Sequence, residues 1–182
     1  MQQFARSIFA YHGCTAELAT ELITGIRPVS EWRQSKNPYD WLGDGIYFWE
    51  HAPARAMHWA RQRYGESAAT VGAIIHLARC FDLLDVEFTR ELLPAYQRVK
   101  QRKAARGQAL PVNRGLDDDL RGRYLDCEVV NRCLRRFPEF QAVRCAFQEG
   151  EPAFPGAKIF RWSHIQIAVR DPSCIVGVFR PI

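Results

Sequence analysis

The sequence predicts an α+β domain, on three observations. Strand-like and helix-like segments alternate through the first part of the chain, but its end carries strands alone, unlike a regular parallel α/β fold. No GxGxxG follows the first strand and there is no Walker loop, so the common phosphate-cradling devices of α/β folds are missing. At 182 residues, 47% hydrophobic and 25% charged, the chain has one domain's length and can hide roughly two-thirds of its unfolded surface. We therefore expect one domain over 1–182, with 86–141 a helical insertion in it.

The elements follow in order. Ser7–His12 reads as a first strand. Thr15 is placed to cap a helix whose Leu18, Leu22 and Ile23 share a face, and Gly25 ends it. Arg27–Asp40, with Pro28, Ser30, Ser35, Asn37 and Pro38, is a polar loop. Gly43-Asp44-Gly45 turns into the short strand Ile46-Tyr47-Phe48. Pro53 suits the first turn of a helix that continues over Ala54–Arg63. Val71–Ala78 is a buried strand, and Phe81–Leu84 is short and turn-like. Val86–Ala105 holds one or two helices with Pro94 at a break or restart, Gly107–Gly115 is a loop, and Leu120–Arg136 is mostly helical. Ala142–Phe147, His164–Val169 and Ile175–Phe179 are strands, the first two joined by a loop with Pro152 and Pro155.

Composition excludes several classes. The average charged and apolar fractions are not those of a disordered chain. No apolar run approaches the ~20 residues of a membrane helix, and Met1–Arg6 shows no signal-peptide core, so we expect a cytoplasmic protein without membrane contact. Twenty-five Lys and Arg against twenty Asp and Glu give +5 and a pI near 9.0, which serves solubility and nucleic-acid binding equally. The basic clusters Arg98–Arg106 and Arg132–Arg136 read as solvated helix faces. The six cysteines, Cys14, Cys80, Cys127, Cys133, Cys145 and Cys174, form no CxxC pair and no zinc-spaced array, so we expect reduced, buried thiols and no metal.

Three segments concentrate chemistry. Tyr11-His12-Gly13-Cys14-Thr15 places an imidazole and an approachable backbone at a strand end. Asp40–Trp49 offers Gly43 and Gly45 for close approach, then the flat ring of Tyr47 on a strand, where a planar ligand could stack. In Ser163–Asp171, strand alternation sets His164, Gln166 and Ala168 on one face and Ile165, Ile167 and Val169 on the other, with Gln166 the polar group among them.

Together these segments resemble the ADP-ribosyltransferases, in the His-Tyr-Glu branch of diphtheria toxin and the poly(ADP-ribose) polymerases. The family's Gly-Lys-Gly-Ile-Tyr-Phe reads here Gly43-Asp44-Gly45-Ile46-Tyr47-Phe48, followed by a helix. Gln166, five residues before Asp171, falls where the family carries its catalytic Glu. Trp59, or in its stead His58, falls at a second nicotinamide-stacking aromatic. The resemblance covers Tyr11–Ala60 and His164 onward, and nothing in Val86–Gln141. It implies a split β-sandwich, two packed and mainly antiparallel sheets with flanking helices, and NAD as co-substrate lying across the cleft.

The resemblance also implies roles. His12, Tyr47 and Gln166 would be the catalytic set, and His12, Gly13, Thr15, Gly45, Tyr47 and Trp59 the NAD-binding one. His12 would hold the adenosine-side ribose, Gly13 the nicotinamide amide through its backbone, and Tyr47 and Trp59 the nicotinamide ring. The departure is Gln166, which keeps a hydrogen bond but has no charge and is no general base. That argues against chain elongation and leaves mono-transfer to a protein or nucleic-acid acceptor open, with a reactive acceptor or another base. Glu50, Asp44 and, after them, Glu128 are the alternative carboxylates. A small basic transferase of this kind resembles the toxins of toxin–antitoxin or phage-defence systems, with a cognate antitoxin as partner. The competing expectations are a non-catalytic NAD or ADP-ribose binding module and a basic nucleic-acid-binding domain.

Overall fold

The computed structural model describes residues 5–115 and 122–181. The chain runs β1 (Ser7–Thr15), α1 (Ala16–Ile23), β2 (Ile46–Glu50), α2 (Pro53–Tyr64), β3 (Ala68–His76) and β4 (Cys80–Asp82). It continues through α3 (Val86–Thr89), α4 (Leu92–Ala104), α5 (Tyr124–Leu134), β5 (Ala142–Phe147), β6 (His164–Val169) and β7 (Ile175–Phe179).

Local signals explain most of the boundaries. Thr15 Oγ1 accepts from the Leu18 amide at 3.3 Å, capping α1, and Gly25 takes φ +76° just past its end. Pro53 opens α2. Pro94 lies in the first turn of α4, where its missing N–H breaks no helical bond, so the interruption falls before it, between α3 and α4.

Long-range pairing explains the differences. β1 continues past His12 to Thr15 because β3 pairs with it throughout, from Ser7↔His76 to Thr15↔Ala68. Cys80–Asp82 is a strand rather than a turn because it lies parallel to β5, with Cys80 opposite Ala142. The helix expected over Leu120–Arg136 is α5, beginning at Tyr124; Leu120 and Arg121 lie outside the described residues.

Hydrogen bonding joins all seven strands in one mixed sheet, ordered β4-β5-β6-β2-β1-β3-β7, rather than two separate sheets. The sheet curls. One face of every strand contributes to a single apolar core, including Ile8 and Ala10 of β1, Phe48 of β2, Val71 and Ile75 of β3, Ile167 of β6 and Ile175 of β7. Curling closes two halves on each other, so strands accumulate twist without leaving a flat face in water. The other face of β2, β5 and β6 is covered by α3, α4 and α5, where Phe81, Phe88, Val99, Leu134, Phe140 and Val143 form a second cluster. β2 and β6 are therefore buried on both faces, as their near-continuous apolar character requires. No helix of the described residues is long and apolar enough to cross a membrane.

Candidate functional site

The site begins where two strands part. β1 and β2 pair at Ala10↔Glu50 and Tyr11↔Trp49, and the pairing then stops. In a continued register Gly13 would face Tyr47. Instead the His12 side chain is wedged in, its Nδ1–H donating to the Tyr47 carbonyl at 2.7 Å. Ladder bonds alternate sides, and the Phe9 carbonyl accepts from the His51 amide beside β2, so the Gly13 backbone also turns toward the gap. A cleft of about 890 Å³ opens there.

His12 is buried among aromatics, with ring centroids 5.0 Å from Trp32 and 5.7 Å from Phe48. Burial lowers its pKa to about 4 against the opposing hydrogen bond to Tyr47. The imidazole is therefore neutral at pH 7, and with Nδ1–H committed, Nε2 carries a lone pair that accepts a hydrogen bond. Trp32 belongs to the 27–40 loop, which walls the cleft through Trp32, Gln34, Ser35, Asn37 and Asp40. Ser35 pairs with Gly45 in both directions, at 2.8 and 3.1 Å, and Gln34 donates to the Arg170 carbonyl, so the loop is pinned to the Gly43–Gly45 turn and to the end of β6.

Tyr47, Trp49 and Gln166 come from the opposite sheet face by strand alternation. The Tyr47 hydroxyl donates to the Gly43 carbonyl at 2.6 Å and accepts from the Leu42 amide at 2.9 Å, fixing the hydroxyl end of its ring. Gly43, at φ +74°, is required there, since a Cβ would stand 2.5 Å from Asn131 Oδ1. Burial raises the Tyr47 pKa well above its ordinary value, so the phenol stays protonated. Trp59 projects from α2, its ring centroid 5.7 Å from that of Trp49.

Unpartnered polar atoms gather at this wall. Among the described residues nine buried side-chain nitrogen or oxygen atoms lack a partner, and five of them are Trp49 Nε1, Arg55 Nε and Nη1, His164 Nε2 and Gln166 Oε1. The four residues adjoin one another. Trp49 is paired with Gln166 across β2 and β6, Arg55 lies 5.5 Å over the Trp49 ring, and His164 shares the Gln166 face of β6. Each orphaned group costs roughly 1–3 kcal/mol when nothing bonds it, so a polar group that bonds them is favoured here; Trp49, Arg55 and Gln166 line the cleft and His164 lies behind them. Glu149 completes the wall. Its carboxylate is 2.6 Å from Arg55 Nη2 and 3.6 Å from His164 Nδ1. Burial, with Arg55 nearby, lowers the His164 pKa, while its Nδ1–H donates to the Trp162 carbonyl at 2.7 Å.

His12, Thr15, Gly45, Tyr47, Trp59 and Gln166 all line this one cleft. Gln166 is only 8% exposed, not a solvent-facing residue of an ordinary strand. Gly13, expected in the NAD-binding set, is not among the lining residues; a Cβ there would face α2, against Ala56 and Ala60. His58 does not line the cleft; it stacks on Trp162 at 4.4 Å. The alternative carboxylates are engaged elsewhere. Glu50 binds Arg144 at 2.5 Å, Asp44 accepts from Asn131 at 2.9 Å, and Glu128 pairs with Lys103 at 3.1 Å. None of the described residues of 86–141 lines the cleft. Sequence reasoning missed Glu149, Arg55 and the 27–40 wall. Glu149 stands in a loop with no periodicity, and its only local sign is the shift from a strand pattern at Phe147.

Burial raises the thiols of Cys14, Cys127, Cys133, Cys145 and Cys174 to about 11 and of Cys80 to about 12, so none is a reactive thiolate. Among the described residues no three His, Cys, Asp or Glu side chains are grouped to hold a metal ion. No protein-family model, no curated protein and no solved structure matches the chain.

Proposed function

We propose that the chain is a mono-ADP-ribosyltransferase whose split sandwich is made by the two halves of one curled sheet, cleaving NAD at the nicotinamide–ribose bond and passing ADP-ribose to a protein or nucleic-acid acceptor. One observation carries the reading. His12, Thr15, Gly45, Tyr47 and Gln166, from the three segments that carry the resemblance, line a single cleft at a parting of strands.

The residues present suit NAD. The neutral His12 Nε2 accepts from a ribose hydroxyl. The Gly13 backbone, turned toward the gap, meets the nicotinamide amide. The Tyr47 ring, held at its hydroxyl, and Trp59 hold the nicotinamide ring. Arg33 and Arg63 bring positive charge to the rim for the diphosphate. Gln166 Oε1, buried and unpartnered, accepts from a hydroxyl of the reacting ribose. Holding the ribose and ring in fixed orientation lowers the barrier to an oxocarbenium-like state, and nicotinamide leaves as a neutral group.

The test is nicotinamide release from labelled NAD by the purified chain, with cell lysate as acceptor, beside His12→Ala and Tyr47→Ala. Release abolished in both variants, with label retained on protein or nucleic acid, supports the transferase and names the acceptor class. The absence of saturable NAD binding overturns it. One observation favours a second reading, an NAD-binding module: the third position is Gln166, which carries no charge. Binding without release would select that reading. A toxin with a neutralising antitoxin belongs to the same proposal, and toxicity on expression relieved by His12→Ala is its sign.

A further inference from the structure

We infer that Glu149 is the carboxylate that takes the acceptor's proton during transfer, supplying what Gln166 lacks; this rests on the transferase reading. Among the described residues four carboxylates line the cleft: Glu17, Glu21, Asp40 and Glu149. Glu21 is tied to Arg27 at 2.7 Å, Asp40 to Ser35 and the Asn37 amide, and Glu17 lies in the first turn of α1. All three stand on the loop and α1 side. Glu149 alone adjoins the Gln166 face, 3.6 Å from His164, which is two residues before Gln166 on the same face of β6. Two residues along a strand span only about 7 Å.

The position is also held. Glu149 is 4% exposed, its carboxylate is gripped by Arg55 at 2.6 Å, and its carbonyl accepts from the Trp162 amide at 3.0 Å. A base must sit within reach of the proton it removes, and a fixed side chain beside the reacting ribose meets that condition. In the step, the ribose–nicotinamide bond breaks with its electron pair leaving on nicotinamide. An acceptor lone pair forms the new bond to the same ribose carbon, and the acceptor's proton passes to Glu149 and then to water. With water as acceptor the same step is NAD hydrolysis.

The experiment uses the full chain and NAD itself. Glu149→Gln keeps the shape and the Arg55 contact but removes the charge. NAD affinity, read from intrinsic tryptophan fluorescence, should stay within about twofold, while kcat for nicotinamide release falls by about 100-fold or more. Adding Gln166→Glu to that variant should recover at least about a tenth of the wild-type rate. Should Glu149→Gln lose its thermal transition, Glu149→Asp retains the charge at shorter reach and should lower kcat about tenfold with affinity unchanged. An active wild type whose Glu149→Gln or Glu149→Asp variant keeps its kcat within about threefold overturns this inference and leaves the transferase standing. A wild type that releases no nicotinamide overturns both.

Discussion

Gly13→Ala separates two reasons for a glycine where β1 and β2 part. An added Cβ would lie 2.5 Å from the Ala56 carbonyl oxygen, 3.1 Å from Ala60 Cβ and 3.1 Å from Trp59 Cε3. A carbon–oxygen contact settles near about 3.3 Å, so α2 must retreat from β1 by about 0.8 Å. The obstacle is backbone, which no side-chain rotation relieves. Ala56 and Ala60, both fully buried, are small for the same reason: helix and strand touch here almost at van der Waals distance. Overpacking of this kind costs about 1–3 kcal/mol. Removing a glycine from the unfolded chain returns about 0.4–1 kcal/mol, so the net loss lies between about 0 and 2.6 kcal/mol, with a midpoint of about 1.3 kcal/mol. For a domain of this size the midpoint lowers Tm by roughly 3–5 °C, read by calorimetry or circular dichroism. The internal control is Gly177→Ala, where the nearest atom to the added Cβ is Ile74 Cδ1 at 3.9 Å. The same change there should leave Tm unchanged or raise it. Equal Tm for wild type and Gly13→Ala would falsify the packing argument and leave backbone approach to a ligand as the glycine's only role.

Two further perturbations test the electrostatics. His12 has a folded pKa near 4 against 6.5 unfolded, so the unfolded chain binds the extra proton first, and stability present above pH 6.5 is lost as pH falls toward 4. At about 1.4 kcal/mol per unit the loss approaches roughly 3 kcal/mol; denaturant unfolding of His12→Gln between pH 7 and 4 should show a shallower decline, and parallel curves would sink the assignment of a buried neutral imidazole. Arg144, 8% exposed, bridges Glu50 at 2.5 Å and Asp82 at 3.1 Å across β2, β4 and β5. Arg144→Met should strand both carboxylates at a cost of about 3–5 kcal/mol, lowering Tm by on the order of 10 °C, and a loss below about 1 kcal/mol in urea titration would show the network contributes little.

What the sequence alone determined is what short-range physics governs. Thr15 as cap, Gly25 as stop, Pro53 as helix opener and the alternation of His164, Gln166 and Ala168 each depend on neighbours within a turn or a strand, and each is found as read. The cleft residues were legible as three separate motifs, because glycines, a strand histidine and an aromatic ring are distinctive in themselves. Only the tertiary structure decided where the β1–β2 ladder stops, since that depends on His12 taking the Tyr47 carbonyl in place of a backbone amide. It alone made a strand of Cys80–Asp82, whose partner Ala142–Arg144 is about sixty residues away, and one curled sheet where two were expected. It alone brought Glu149 to Arg55 across 94 positions of chain and placed that pair beside Gln166, because burial of a charge is settled by which cation the fold delivers to it, and no local pattern records that delivery.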